Sequence, residues 1–241
     1  MNRMTVDFTN PDYIAHLRRI LIPATQDTIY MVGMSSLIAI ILGTLLGTVI
    51  YMTARGGLLE RFVVTEGPAL TLMRVTNAVL GFIINIFRSL PFIVVVFAVF
   101  PLARIIVGTS IGTQAAVVPL TIAATPFVAR LTEATFNDMP KGVIEAAICS
   151  GATLRQTFFR VIVPETAQGL VLNCTITIIN LVGLSALSGL IGGGGLGDVA
   201  KRFGFDRHQT DILIYTIIIL VILVQIVQFS GDFIARRLDK R

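Results

Sequence analysis

Charged residues are spaced so unevenly along this chain that the gaps between them outline its architecture. Residues 28–54, 105–129, 166–197 and 212–231 carry no charge at all, in runs of 27, 25, 32 and 20 positions. A helix needs about 20 mostly apolar residues to cross a hydrocarbon layer, so each run predicts a span. A fifth stretch, Val75 to Ala103, is interrupted once, at Arg88 in Phe87-Arg88-Ser89-Leu90-Pro91. Thirteen residues before the arginine and fifteen after it are too few for two spans. One span broken near Pro91, whose ring removes an N–H and clashes with the preceding turn, fits better. The predicted fold is therefore all-α: a polytopic membrane helix bundle with five transmembrane helices over residues 28–235, an N-terminal segment over 1–27 and a basic tail over 236–241.

Within the first span, Ser35, Ala39, Gly43 and Gly47 recur every fourth residue and predict a ridge of small side chains against which another helix can pack closely. Tyr30 and Tyr51 bracket the span at about the thickness of a hydrocarbon core, and are expected to sit at its two interfaces. The mixed-charge residues before the span, and the length of its apolar run, argue against a cleaved signal peptide.

Composition agrees with a lipid solvent: 54% of the 241 residues are hydrophobic and 14% charged, against about 25% charged in soluble domains. The net charge of +5 comes without a run of five basic residues, which argues against a nucleic-acid surface and for contact with lipid head groups. With the N-terminus outside and the C-terminus in the cytoplasm, eleven basic residues fall on the inner side and seven on the outer, the bias expected of a plasma-membrane protein. Cys149 and Cys174, 25 residues apart without a histidine partner, predict neither a disulfide framework nor a metal site and read as small buried residues.

Several chemistries are missing. The fourteen acids fall in loops or at the ends of the expected spans, which argues against a proton-coupled carrier. His16 and His208 lie outside the spans and form no HExxH, and no nucleophile stands near a base. The run Ile191-Gly192-Gly193-Gly194-Gly195-Leu196-Gly197 is not followed by Lys-Ser/Thr, so it is no phosphate-cradling loop. It reads as a flexible end to the fourth span or as a break beside a translocation path.

The segment between the third and fourth spans, residues 131–165, is richer. Pro140 suits the start of a helix, and Val143, Ile144, Ala147 and Ile148 then share a face that excludes Lys141 and Glu145. After Gly151, Thr153-Leu154-Arg155-Gln156 reads as a capping box. It opens a second helix with Leu154, Phe158, Val161 and Ile162 on one face, which Pro164 is expected to stop. By pattern alone this is two short amphipathic helices joined at a glycine, either an interfacial hairpin or a docking element.

The spacing Glu145-Ala146-Ala147, Gly151, Val161, Val163-Pro164 resembles the EAA signature of permease subunits of binding-protein-dependent ABC importers, with Val at the two positions where Ile and Leu are expected. In more detail, Asn85 to Phe92, Val107 to Ala116, Val118 to Thr121, Pro126 to Arg130 and Gly192 to Gly197 are similar to the methionine-importer branch, the whole match covering most of residues 75–235. The resemblance implies a homodimer in the lipid bilayer, two ATP-binding subunits beneath it and an extracytoplasmic methionine-binding protein. It implies that Glu145, Ala146, Ala147, Gly151 and Pro164 belong to a cytoplasmic coupling segment that docks into the ATP-binding subunit. ATP and Mg would be held by that partner, leaving this chain without a cofactor, a metal or an enzymatic role. For the path or gate the candidates are Arg88, which either pairs or caps within the protein or meets substrate, and Gly183, Ser185, Leu187 and Ser188, which either line the path or pack helices. A permease for another amino acid, or an ATP-independent channel, is the alternative.

Overall fold

The computed structural model describes residues 11–62 and 67–238. Every regular element among them is helical: α1 (Pro11–Thr53), α2 (Leu58–Phe62), α3 (Pro68–Ser89), α4 (Phe92–Val107), α5 (Thr113–Asn137), α6 (Lys141–Cys149), α7 (Leu154–Gln156), α8 (Val163–Ser188), α9 (Gly195–Val199) and α10 (Thr210–Leu238), with π-helical turns over Thr157–Ile162, Gly189–Gly193 and Ala200–Phe205. Five of these are long and apolar enough to cross a membrane: α1, α3, α5, the continuous run Leu154–Gly193, and α10. The expected five spans are all present.

Their boundaries differ in instructive ways. α1 starts at Pro11, so residues 11–27 of the expected N-terminal segment continue the helix of the first span, and residues 1–10 lie outside the described residues. Its 43 residues correspond to about 64 Å, twice the thickness of a hydrocarbon core. The break at Leu90-Pro91 falls as expected, where Leu90 is extended and ends α3. However, α3 begins at Pro68 and its 22 residues suffice to span alone, leaving α4 as a shorter apolar helix. The correction arises because Arg74, taken as a loop charge, lies in the first turns of α3. Pro164 does not stop the helix opened at Leu154. The preceding π turn lets Val163 N–H reach the Phe158 carbonyl, and this widened register accommodates the ring and missing N–H of the proline.

The described residues form two compact units. One comprises residues 11–36, Phe92–Thr121 and Ile178–Val227; the other, Leu37–Pro91, Ile122–Thr177 and residues 228–238. In the first, Ala24, Leu196, Val199 and Ile212 make the core, joined by Leu17, Leu21 and Phe203, and the Tyr13 hydroxyl donates to the Asp211 carboxylate. In the second, Tyr51, Leu58, Phe136, Met139, Ile144, Phe158 and Ile162 make one core and Ile50, Ile84 and Ala129 another.

The small-residue ridge of α1 does bring a helix close. A Cβ on Gly43 would lie 2.5 Å from Val128 Cβ, and one on Gly47 would lie 2.4 Å from the Ala129 carbonyl oxygen, so α5 rests directly on the α1 backbone. Ser35, fully buried, donates to the Val117 carbonyl at 3.3 Å. Tyr30 is 45% exposed, but Tyr51 is buried at 6%. It packs on Phe136 with ring centroids 5.2 Å apart, which makes it a core residue and corrects the expected anchor role. Cys149 is exposed and Cys174 half-buried, so neither is the buried residue expected.

Candidate functional site

The segment carrying Glu145 is built from short-range rules upward. α6 ends in a Schellman motif: Gly151 N–H reaches the Ile148 carbonyl at 2.9 Å and Ala152 N–H the Ala147 carbonyl at 3.1 Å. This closure puts Gly151 at φ +76°, a left-handed conformation that costs other L-residues about 1–2 kcal/mol. The next turn opens with the expected capping box, in which Gln156 N–H donates to Thr153 Oγ1 at 3.3 Å and Thr153 N–H to Gln156 Oε1 at 2.9 Å.

Packing holds this element firmly. Ile144 is buried and Val143, Ala147 and Ile148 are partly covered, while Lys141, Glu145 and Ala146 are exposed. Beneath lies an aromatic stack in which Tyr51 at the end of α1 meets Phe136 at the end of α5, and Phe136 meets Phe158 at 5.9 Å, edge to face. Such pairs add about 0.5–1.5 kcal/mol each beyond simple burial. α6 is thus packed through Ile144 against the ends of α1 and α5. Glu145 keeps 63% of its side chain exposed, with one loose contact at 4.0 Å to Arg61, and so presents an acid to whatever approaches. Pro164 is half-buried at the start of α8.

The other candidates do not form one cluster. On α8, Gly183 and Leu187 are exposed on a face shared with Asn180 and Leu190. Nothing lies within 4 Å of a Cβ added to Gly183. Ser185 and Ser188 point the other way, 1% and 2% exposed. The Ser185 hydroxyl donates to the Val182 carbonyl at 2.7 Å, and Ser188 borders a cavity of about 10 Å³, room for one water. Arg88 is exposed near the end of α3 and has no hydrogen bond or ion pair with the described residues. Of the alternatives expected for it, pairing or capping within the chain is not formed among the described residues.

Nor is the glycine run a flexible end. Gly195, at φ +75°, sits so close to α1 that an added Cβ would lie 2.6 Å from Thr28 Oγ1, and one on Gly197 would lie 2.1 Å from the Ala186 carbonyl oxygen. Leu196 N–H donates to Thr28 Oγ1 at 2.9 Å. The chain turns here because glycine lets backbone pack against backbone.

One structural feature escaped the charge count. Arg130 lies within α5, not in a loop, and bridges to α3: its Nη2 donates to the Gly81 carbonyl at 3.1 Å and to Asn85 Oδ1 at 2.9 Å, and its Nη1 pairs with Glu133 at 2.6 Å. Glu133 and Asp27 are likewise inside helices rather than in loops. The i,i+3 spacing of Arg130 and Glu133 was the available signal.

Comparisons with known proteins agree on one kind of molecule. The family described as binding-protein-dependent transport system inner membrane component matches residues 67–241. The probable D-methionine transport system permease protein MetI of Vibrio cholerae is 44% identical over 222 residues, 92% of this chain and 93% of that protein. Its namesake in Pasteurella multocida is 38% identical over 218 residues, 90% and 95% of the two chains. Among solved structures, a chain of the MetNI methionine ABC transporter in an inward-facing conformation superposes with a TM-score of 0.84 at 36% identity, covering 96% of this chain and all of that one.

Proposed function

Because this chain belongs to the family of binding-protein-dependent transport system inner membrane components, we propose that it is the membrane-spanning subunit of an ATP-driven importer that moves methionine across the plasma membrane. The substrate is taken from its relatives, named for methionine or D-methionine transport. Two copies of the chain frame the path, each resting on an ATP-binding subunit that holds ATP and Mg, and an extracytoplasmic binding protein delivers methionine. Hydrolysis belongs to the partner, and this chain contributes binding surfaces and movement. The N-terminus lies outside and the C-terminus in the cytoplasm, the orientation that the distribution of basic residues favours.

The observation that carries this reading is the mounting of α6. Its outer face offers Glu145 and Ala146 to a partner, while its inner face is packed through Ile144 onto Tyr51, Phe136 and Phe158. When ATP draws the two nucleotide subunits together, α6 moves with them, and because packed cores shift as discrete blocks, the ends of α1 and α5 follow. Of the path candidates, Gly183 and Leu187 favour a role at the path, since their face with Asn180 is uncovered, whereas Ser185 and Ser188 serve packing. Arg88, exposed and unpaired, is free to meet substrate or gate the path.

Uptake of labelled methionine by cells carrying Glu145→Ala or Gly151→Leu tests the coupling role. Both variants are expected in the membrane at normal levels with uptake abolished; normal uptake in both overturns it. Co-purification supplies the second arm: the solubilised protein brings down an ATP-binding subunit, and a homomer that conducts solute without ATP would refute the importer reading.

A further inference from the structure

Where α1 and α5 end, the chain forms a partly open cavity of about 290 Å³ beside the packing of α6. Its walls include Tyr51, Phe136 and Ile144, and its charged lining consists of Arg55, Arg61 and Lys141, with no acid among the lining residues. Among the described acids close to this lining, Asp138, between Asn137 and Met139, is exposed, Glu145 faces the cavity's own Arg61, and Glu60 is engaged elsewhere. Glu60 accepts hydrogen bonds from Gly56 N–H at 2.7 Å and from Arg74 at 3.1 Å, and Glu145 contacts only Arg61, at 4.0 Å. Arg55 and Lys141 are exposed and make no ion pair among the described residues. α6 begins at this cavity, at Lys141, with no side chain capping its first N–H groups, so a helix dipole adds to the unpaired Arg55 and Lys141 and to Arg61, which shares its charge loosely with Glu145.

We propose that this cavity binds the phosphate head group of an anionic phospholipid in the leaflet where α1 and α5 end. Three cations and an uncapped helix start select a phosphate oxyanion over a neutral ligand. A lipid, rather than free phosphate, is favoured by position. The cavity lies beside the last turns of the apolar spans α1 and α5, and Leu45, 61% exposed, lies about 15 Å back along α1 from Arg55, half the hydrocarbon thickness. The acyl chains lie on that surface while the head group sits among the cations. Basic pockets between spans at a membrane face take acidic head groups in this way. The inference rests on the chain spanning a membrane and is independent of what is transported. A lipid seated under Ile144 and beside Arg61 would brace the base of α6.

Native mass spectrometry of the purified full transporter complex, exchanged into phosphatidylglycerol or phosphatidylcholine, tests the site. The wild-type complex retains phosphatidylglycerol in preference to phosphatidylcholine, and millimolar inorganic phosphate does not displace it. Arg55→Gln with Lys141→Gln lowers that retention about 30-fold, as two charges near a head group imply, while Arg55→Lys keeps it. Both replaced side chains are exposed, and an unchanged elution volume of the complex verifies assembly. Equal retention of the two lipids, undiminished phosphatidylglycerol binding in the double variant, or displacement by inorganic phosphate would overturn the proposal. Because these readouts contain no transport step, they fail or succeed separately from methionine uptake.

Discussion

Arg130 on α5 donates from Nη2 to Oδ1 of Asn85 on α3 at 2.9 Å, fixing two spanning helices through one guanidinium. The same group holds the Glu133 carboxylate at 2.6 Å, with the two side chains only 25% and 18% exposed. Removing one partner of such a pair leaves the other charged and poorly solvated. Arg130→Leu is therefore expected to lower stability by about 2 kcal/mol, less than the ~3–5 kcal/mol of a fully buried pair. Asn85→Leu, which leaves the ion pair intact, costs about 1 kcal/mol. Thermal melting of the detergent-solubilised protein checks the order, and Arg130→Leu with Glu133→Leu should recover part of the loss.

At Gly151 the space around the backbone is open, with nothing within 4 Å of an added Cβ, so any effect of substitution is conformational. Gly151→Ala should cost about 1–2 kcal/mol through its positive φ, and Gly151→Asn less, because asparagine tolerates the left-handed region. Amide exchange at Gly151 and Ala152, whose N–H groups close α6, reports the fraying. Faster exchange in the asparagine variant than in the alanine variant would contradict this account.

The Leu196 N–H has Thr28 Oγ1 as its acceptor in a fully buried setting, 168 residues away. Thr28→Val keeps the shape but strands that donor, at an expected cost of about 1–3 kcal/mol. Thr28→Ser keeps the oxygen and should cost less than Thr28→Val. Gly195→Ala combines an added Cβ 2.6 Å from the hydroxyl with a φ of +75° and is expected to be the most damaging of the three. Yield and melting temperature of the assembled complex rank them.

Glu60 is held below the usual carboxylate range, first by the Gly56 N–H and next by Arg74. A lowered folded pKa means that the ionised form stabilises the fold. That contribution is complete above the ordinary glutamate value, near ~4.3, and fades as the pH falls below it. The difference in melting temperature between the wild-type protein and Glu60→Gln should stay constant from neutral pH to about 5 and shrink below about 4. A difference that grows on acidification would reverse the sign assigned here.

The sequence alone determined that five segments are apolar enough to cross lipid and placed the core of four of them, because a long apolar run with few charges is a local property that hydrocarbon demands of a span. The uncharged run 28–54 lies within α1 except for its last residue, and the break at Leu90-Pro91 falls where the proline stands. The ends of α6 and α7 were equally legible, since Gly151 and the Thr153–Gln156 box act within one turn of helix. Tertiary structure decided everything that depends on which helix stands opposite. Tyr51 became a core residue because Phe136 meets it, and Arg130 became a bridge because Gly81 and Asn85 face it. Ser185 turned inward while Gly183 and Leu187 stayed uncovered. The helix passes Pro164 because a π turn precedes the ring, a register change that no local propensity encodes. Charge spacing selects the solvent of each segment, whereas the partner of each side chain is fixed only when distant helices close on one another.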